Sequence, residues 1–102
     1  MVEIIWLDPA TDDLEEIIEY IAFDDPDAAS RVAARILKHV RQLTKHPLGG
    51  LVPPELEAAR YRQIVEPPCR IFYRFDGKAV YIVHVLRSER LLRMSRIESW
   101  EE

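Results

Sequence analysis

Residues 61–92 read YRQIVEPPCRIFYRFDGKAVYIVHVLRSERLL, and this stretch decides the fold. Its apolar runs are separated by two turn signals, Pro67-Pro68 and Asp76-Gly77. Proline cannot donate to a strand ladder, and Asp-Gly favours a hairpin turn because glycine accepts positive φ. The spacing predicts three consecutive antiparallel strands at about 60–66, 69–75 and 79–87. The last of these, AVYIVHVLR, is apolar at almost every position. Such a strand belongs in the middle of a sheet, covered on both faces.

Working back from the meander, residues 47–59 (PLGGLVPPELEAA) carry three prolines and two glycines and read as a loop. Ahead of it, Ala29, Val32, Ala33, Ile36, Leu37, Val40 and Leu43 recur at helical spacing. They predict a helix over about 26–45, started by Asp24-Asp25-Pro26 and stopped by Pro47. Lys38, His39, Arg41, Lys45 and His46 suit the negative end of its dipole. A first helix over about 9–23 rests on Leu14, Ile17, Ile18 and Ile21, with Asp8 as its expected N-cap and Pro9 at its first position. The opening run VEIIWL (2–7) alternates little and reads as a strand buried on both faces. The closing segment, SERLLRMSRIESWEE, reads as a short helix or an ordered tail.

The expected class is α+β, in the order β-α-α-β-β-β. A helical hairpin packs on a small, mainly antiparallel sheet, and the first strand returns to pair with the meander. A chain of 102 residues, 48% hydrophobic and 31% charged, fits one domain over 1–102 with a single modest core. The lone cysteine, Cys69, precludes an intramolecular disulfide, suits a reducing cytosol and reads as a small buried hydrophobe. The N-terminus lacks the basic region of a signal peptide, and no apolar run approaches the roughly 20 residues that span a bilayer. A soluble, cytoplasmic protein without a membrane partner is expected.

The net charge of −4 is unevenly spread. Residues 1–59 carry 5 Lys/Arg against 12 Asp/Glu, residues 60–96 carry 9 against 3, and Glu98, Glu101 and Glu102 close the chain. The basic part is therefore expected to meet an anion, either nucleic acid or an acidic protein segment. Alternation on the second meander strand separates Ile71, Tyr73 and Phe75 from Arg70, Phe72 and Arg74. On the strand before it, Arg60, Arg62 and Ile64 share a side, and Arg87 and Arg90 stand where the final strand ends. Arginine suits bidentate contact with phosphate or carboxylate, so Arg62, Arg70, Arg74, Arg87 and Arg90 form the candidate binding face. The plainer alternative is a solvated sheet face that happens to carry arginines.

Catalytic groups are harder to find. His84 lies in an apolar strand and reads as a buried structural histidine, while His39 and His46 read as surface residues at a helix end. Glu66, beside Pro67, reads as a solvated carboxylate. No spacing suggests a metal site and no Gly-rich loop cradles a nucleotide, so no metal or cofactor is expected.

The meander also carries a resemblance. Residues 61–92 are similar to the C-terminal signature of RelE/ParE toxins, in which a "yR" strand, a "yRifYr" strand, an acidic-Gly turn and a "v.ilhvlr..R" strand follow in order. ATDDLEEIIEYIAFDDPDAASRVAARIL resembles the helical hairpin of that family, and HPLGG resembles its "hP..Gr" loop. The resemblance covers about 2–95 and implies the toxin of a type II toxin–antitoxin pair. It implies neutralisation by a cognate antitoxin, of ribbon-helix-helix type with an acidic C-terminal segment. Relatives divide into poisons of DNA gyrase and ribosome-dependent mRNA endonucleases.

Cleaving RNA through its 2′-hydroxyl takes a base, an acid and cations on the phosphate. Set against the RelE-like pattern, Arg70 matches the family's strand arginine and Arg62 stands in for a lysine. Ile64 falls where a second lysine is expected, Ser88 where an arginine is expected and Met94 near the expected tyrosine. Those departures favour a ParE-like gyrase poison. The alternatives are a ribosome-dependent mRNA endonuclease and a homologue that has lost toxicity but still binds antitoxin. Replacing Arg70 and Arg74 with Glu is expected to weaken antitoxin binding in a chain that stays folded.

Overall fold

The computed structural model describes residues 1–55 and 60–88. Its elements are β1 (Glu3–Trp6), α1 (Asp8–Asp24), α2 (Pro26–Arg41), a single 3-10 turn (Gln42–Thr44), β2 (Arg62–Glu66), β3 (Cys69–Phe75) and β4 (Ala79–Arg87). The sheet order is β1-β4-β3-β2, with β1 parallel to β4 and the other neighbours antiparallel. β4 lies inside the sheet, as its apolar sequence requires, and β1 returns to flank it. The order β-α-α-β-β-β and the helical hairpin on a mainly antiparallel sheet follow the sequence reading. The closing segment, Arg90 within it, lies outside the described residues.

Local chemistry explains where the boundaries moved. Asp8 sits inside the first turn of α1 rather than capping it; the cap is Leu7, whose carbonyl accepts the Ala10 and Thr11 amides. The Leu7 amide is itself bound to the Ile82 carbonyl at 3.0 Å, which ties the helix start to β4. Asp25 does cap α2, its carboxylate accepting the Ala28 amide at 3.0 Å. α2 stops at Arg41, short of the expected end. The Thr44 hydroxyl donates to the Arg41 carbonyl at 2.8 Å, and the chain tightens through a 3-10 turn. β2 begins two residues late, at Arg62. β1 is half-buried rather than buried on both faces, because it forms one edge of the sheet.

One face of the sheet is covered by the helices. Val32, Ile36, Val40 and Leu43 meet Ile64, Ile71, Tyr73, Val80, Ile82 and Val85, with Cys69 and Ala10 sealed among them. Ile36 is fully buried at the centre, so its truncation to alanine costs about 2–5 kcal/mol. The opposite face carries a second apolar cluster of Tyr61, Phe72 and Val83. The register slips between Phe72 and Tyr73, which face His84 and Ile82, so Val83 is the extra residue of a bulge. This shift moves His84 off the helix-facing row and lets Val85 join it. The Asp76-Gly77 turn forms as expected, with Gly77 at φ 94° and the Asp76 carboxylate accepting the Lys78 and Ala79 amides at 2.8 Å each. Those two N–H groups hold the Asp76 carboxyl below its ordinary pKa.

Candidate functional site: the arginines of the sheet

Register decides which arginines share a surface. Arg62 pairs with Tyr73 and Arg87 with Cys69, so both stand on the side of the helical hairpin. Arg70 pairs with Val65 and Leu86, and Arg74 with Tyr81, on the opposite side. The five expected binding residues therefore do not form one patch. Arg70 and Arg74 face one way, Arg62 and Arg87 the other, and Arg90 is outside the described residues.

Each described arginine is also engaged by its own surroundings. Arg70 is 7% exposed, and its fork holds the Glu55 carboxylate at 2.7 and 2.9 Å. Its Nε donates to Gln63 Oε1 at 2.8 Å, and its guanidinium lies 4.9 Å from the centre of the Phe72 ring. Planarity and five fixed donors let a single side chain do all of this. The loop carboxylate thus fills the arginine fork that an external carboxylate or phosphate could otherwise enter. Arg74 stacks over Tyr81 at 4.1 Å, a cation–π contact on a half-buried surface. Arg62 donates to the Gly50 carbonyl at 2.9 Å and pins the loop against β2. Arg87 is the last residue of β4; it stacks on Tyr20 of α1 at 5.0 Å and lines a cleft of about 380 Å³.

The loop that supplies Glu55 is fixed at its start. Leu51 and Gln63 exchange backbone hydrogen bonds at 2.9 and 2.7 Å, and the Gly50 amide donates to Tyr73 Oη at 2.8 Å. A Cβ on Gly50 would stand 2.6 Å from the Gln63 carbonyl oxygen and 2.7 Å from Tyr73 Oη, so this close approach requires glycine. Burial raises the Tyr73 phenol above its ordinary pKa, an effect partly offset by the Gly50 N–H and the nearby Arg62 charge.

The titratable groups divide into a sequestered pair and an accessible one. His84 is 3% exposed, as its apolar strand suggested, and its Nδ1 faces the carboxylate of Asp13 on α1. The same carboxylate accepts the Val85 amide at 3.1 Å, on the part of β4 that lies beyond the pairing with β1. Sequence reading gave no sign of the Asp13 contact, because 72 positions separate it from Val85. Glu66 is not simply solvated. It binds His39 Nδ1 at 3.1 Å and Arg35 Nε at 3.7 Å across the edge of β2. Ile64, at the position where the RelE-like pattern has a lysine, is packed under the helices. No group of three potential ligands able to hold a metal occurs among the described residues. No described helix is long and apolar enough to cross a membrane.

Residues 4–92 match the family model described as ParE toxin of type II toxin-antitoxin system, parDE. The chain belongs to the ParE toxin family. Among curated relatives of this ParE-family toxin, a putative toxin, Y4kP, of Sinorhizobium fredii is 38% identical over 73 residues, covering 70% of this chain and 75% of the relative. Toxin RelE2 of Caulobacter vibrioides is 33% identical over 92 residues, which is 89% of this chain and all of the relative. Among solved structures, the chromosomal ParDE toxin–antitoxin system of P. aeruginosa superposes with a TM-score of 0.73 at 25% identity, covering 87% of this chain and 98% of the other. A chain of the E. coli DinJ-YafQ complex shares the fold, with a TM-score of 0.60 at 14% identity over 91% of this chain and 100% of that one. The ParE-family fold and the toxin assignment thus agree with the expectation drawn from the resemblance over about 2–95.

Proposed function

We propose that this ParE-family toxin is neutralised by a cognate antitoxin and acts by binding DNA gyrase, without hydrolytic chemistry of its own. The observation that carries this reading is that, among the described residues on the arginine-bearing sheet face, no acid–base pair stands open to a substrate. Arg70 is committed to Glu55, His84 is enclosed with Asp13, and Ile64 faces the core. An arginine forked onto a carboxylate is equipped to bind, and it is a poor proton donor or acceptor because guanidinium does not titrate in the working range. A gyrase poison needs contact surface; a nuclease needs groups that move protons.

The antitoxin is proposed to be a ribbon-helix-helix protein with an acidic C-terminal segment, so that the pair can bind its own operator. Such a segment would dock its carboxylates on Arg74 and compete with Glu55 for Arg70. This changes the expected mutant. Arg70→Glu sets a carboxylate against Glu55 in a buried position and damages the fold, whereas Arg74→Glu alters a half-buried, stacked cation. Arg74→Glu is therefore the variant that reports on antitoxin binding, and unchanged affinity would remove Arg74 from the interface.

Induced expression tests the target. Gyrase poisoning predicts double-strand breaks and an SOS response in cells, and loss of supercoiling by purified gyrase when the toxin is added. Prompt arrest of translation with cleaved transcripts would assign an mRNA endonuclease instead. No growth defect, with antitoxin binding retained, would assign a binding homologue that has lost toxicity.

A further inference from the structure

The folded chain divides its charge more sharply than its two halves suggest. Residues 1–27 hold ten Asp/Glu and no Lys/Arg, whereas residues 28–54 hold five Lys/Arg and no Asp/Glu. The second group lies on α2 and the turn after it. At about 100° per residue, Arg31, Arg35 and Lys38 fall within an arc of about 60°, with Arg41 beside them. Arg31, Arg35, Lys38, Arg41 and Lys45 are all exposed, on the side opposite the buried Val32, Ile36 and Val40. Unlike Arg70 of the sheet, Arg31, Lys38, Arg41 and Lys45 have no carboxylate partner among the described residues. The carboxylate that reaches this ridge is Glu66 of β2, already bound to Arg35 and His39.

We infer that the outer face of α2 is a docking ridge for the sugar–phosphate backbone of duplex DNA, with Arg31, Arg35, Lys38 and Arg41 as the phosphate contacts. Charge complementarity selects a polyanion, and three further features select duplex DNA. First, the ridge offers only Ala34 and the half-exposed Leu37 as apolar residues. A protein partner's interface core needs buried apolar anchors, whereas phosphate contact does not. Second, the ridge carries no Phe, Tyr or Trp on which unpaired bases stack, which disfavours a single strand. Third, the cations recur at intervals of about 4.5–6 Å along a rigid helix about 10–12 Å wide. That width matches the major groove of B-DNA at about 12 Å, whereas the A-form groove of duplex RNA is too narrow to admit a helix. The acidic α1 beside it repels the same backbone and so fixes which side of the molecule faces the nucleic acid.

The test is fluorescence anisotropy of the full-length chain on a labelled 20-base-pair duplex of arbitrary sequence. Arms with single-stranded DNA, duplex RNA and poly-glutamate run in parallel. With about three phosphates neutralised, affinity for the DNA duplex falls roughly 40-fold between 50 and 200 mM salt. Arg31→Ala with Lys38→Ala weakens binding and lowers the salt slope by about two, with an unchanged melting temperature. Glu66→Gln strengthens binding by removing the carboxylate that, among the described residues, reaches the ridge. No binding at 50 mM salt, a slope unmoved by the double variant, or tighter binding to poly-glutamate, single strand or duplex RNA overturns the inference. The readout needs neither gyrase nor antitoxin, so its failure leaves the target assignment standing.

Discussion

The Glu55–Arg70 contact lends itself to a double-mutant cycle, using Arg70→Met, Glu55→Ala and the combined variant. The side chains are only 9% and 16% exposed, and the carboxylate is gripped at two oxygens. Removing one member of a fully buried pair costs about 3–5 kcal/mol, because the other is left uncompensated. Glu55 keeps some solvent access, so about 2–3 kcal/mol is expected for Arg70→Met. In a domain of this size that lowers the melting temperature by roughly 10–20 °C. It is also a large part of a total stability of about 5–15 kcal/mol. The combined variant should lose much less than the sum of the singles, giving a coupling above about 1.5 kcal/mol. Urea titrations followed by circular dichroism measure all four chains, with equal m-values confirming a common unfolding transition. A coupling below about 0.5 kcal/mol would match an exposed ion pair and refute the reasoning. The Arg70 fork would then be open to a partner without displacement of Glu55.

Three further outcomes follow from the same contacts. Gly50→Ala drives a methyl group against the Gln63 carbonyl and Tyr73 Oη, and should cost about 2 kcal/mol or more by shifting the loop; a melting temperature within a degree or two of wild type would show that the loop gives way freely. Tyr73→Phe strips the Gly50 amide of its acceptor and should cost about 1–3 kcal/mol at neutral pH. The folded-state pKa of Tyr73 is raised, so its contribution is whole below the ordinary value of 10.0 and is lost as pH rises through the folded value. Urea midpoints of wild type and Tyr73→Phe should therefore converge above pH 10, and a widening gap would contradict the assignment. Asp13→Ala leaves His84 without its partner and the Val85 amide without its acceptor, whereas Asp13→Asn keeps an acceptor for the amide. Hydrogen exchange at Val85 should be fastest in the alanine variant, intermediate in the asparagine variant and slowest in wild type.

The fold was legible because periodicity and punctuation carry it. Pro26, Pro47, Pro67-Pro68 and Asp76-Gly77 mark the element ends, and β3 and β4 span the residues that alternation and apolar content assign to them. Boundaries moved where a side chain competed with the backbone pattern, as Thr44 does at the end of α2. The bulge at Val83 was invisible, because a wholly apolar strand gives no sign of which residue is the extra one. The site was less legible. Alternation assigned Arg70 and Arg74 to one face correctly, but long-range contacts set their state. Glu55 reaches Arg70 across 15 positions, and His39 reaches Glu66 across 27. Local composition constrains neither.

Charge counted along the chain and charge presented by the fold are different quantities, and here they point to different surfaces. Residues 60–96 are the basic part of the sequence, yet the described arginines in the strands are spent on a carboxylate, on backbone carbonyls and on aromatic rings. Each of those contacts lowers the field the arginine offers to a partner. The α2 cations are fewer, and no segment of the chain that averages over residues 1–59 reveals them, because the acids of residues 1–27 outnumber them. Once folded, the two helices show their outer faces separately and no longer average. It follows that a partner competing for the sheet must displace internal contacts such as Glu55, whereas one approaching α2 meets Arg31, Lys38 and Arg41, which have no carboxylate partner among the described residues. Binding at the sheet should therefore be slower and more selective, and binding at α2 faster and more sensitive to salt.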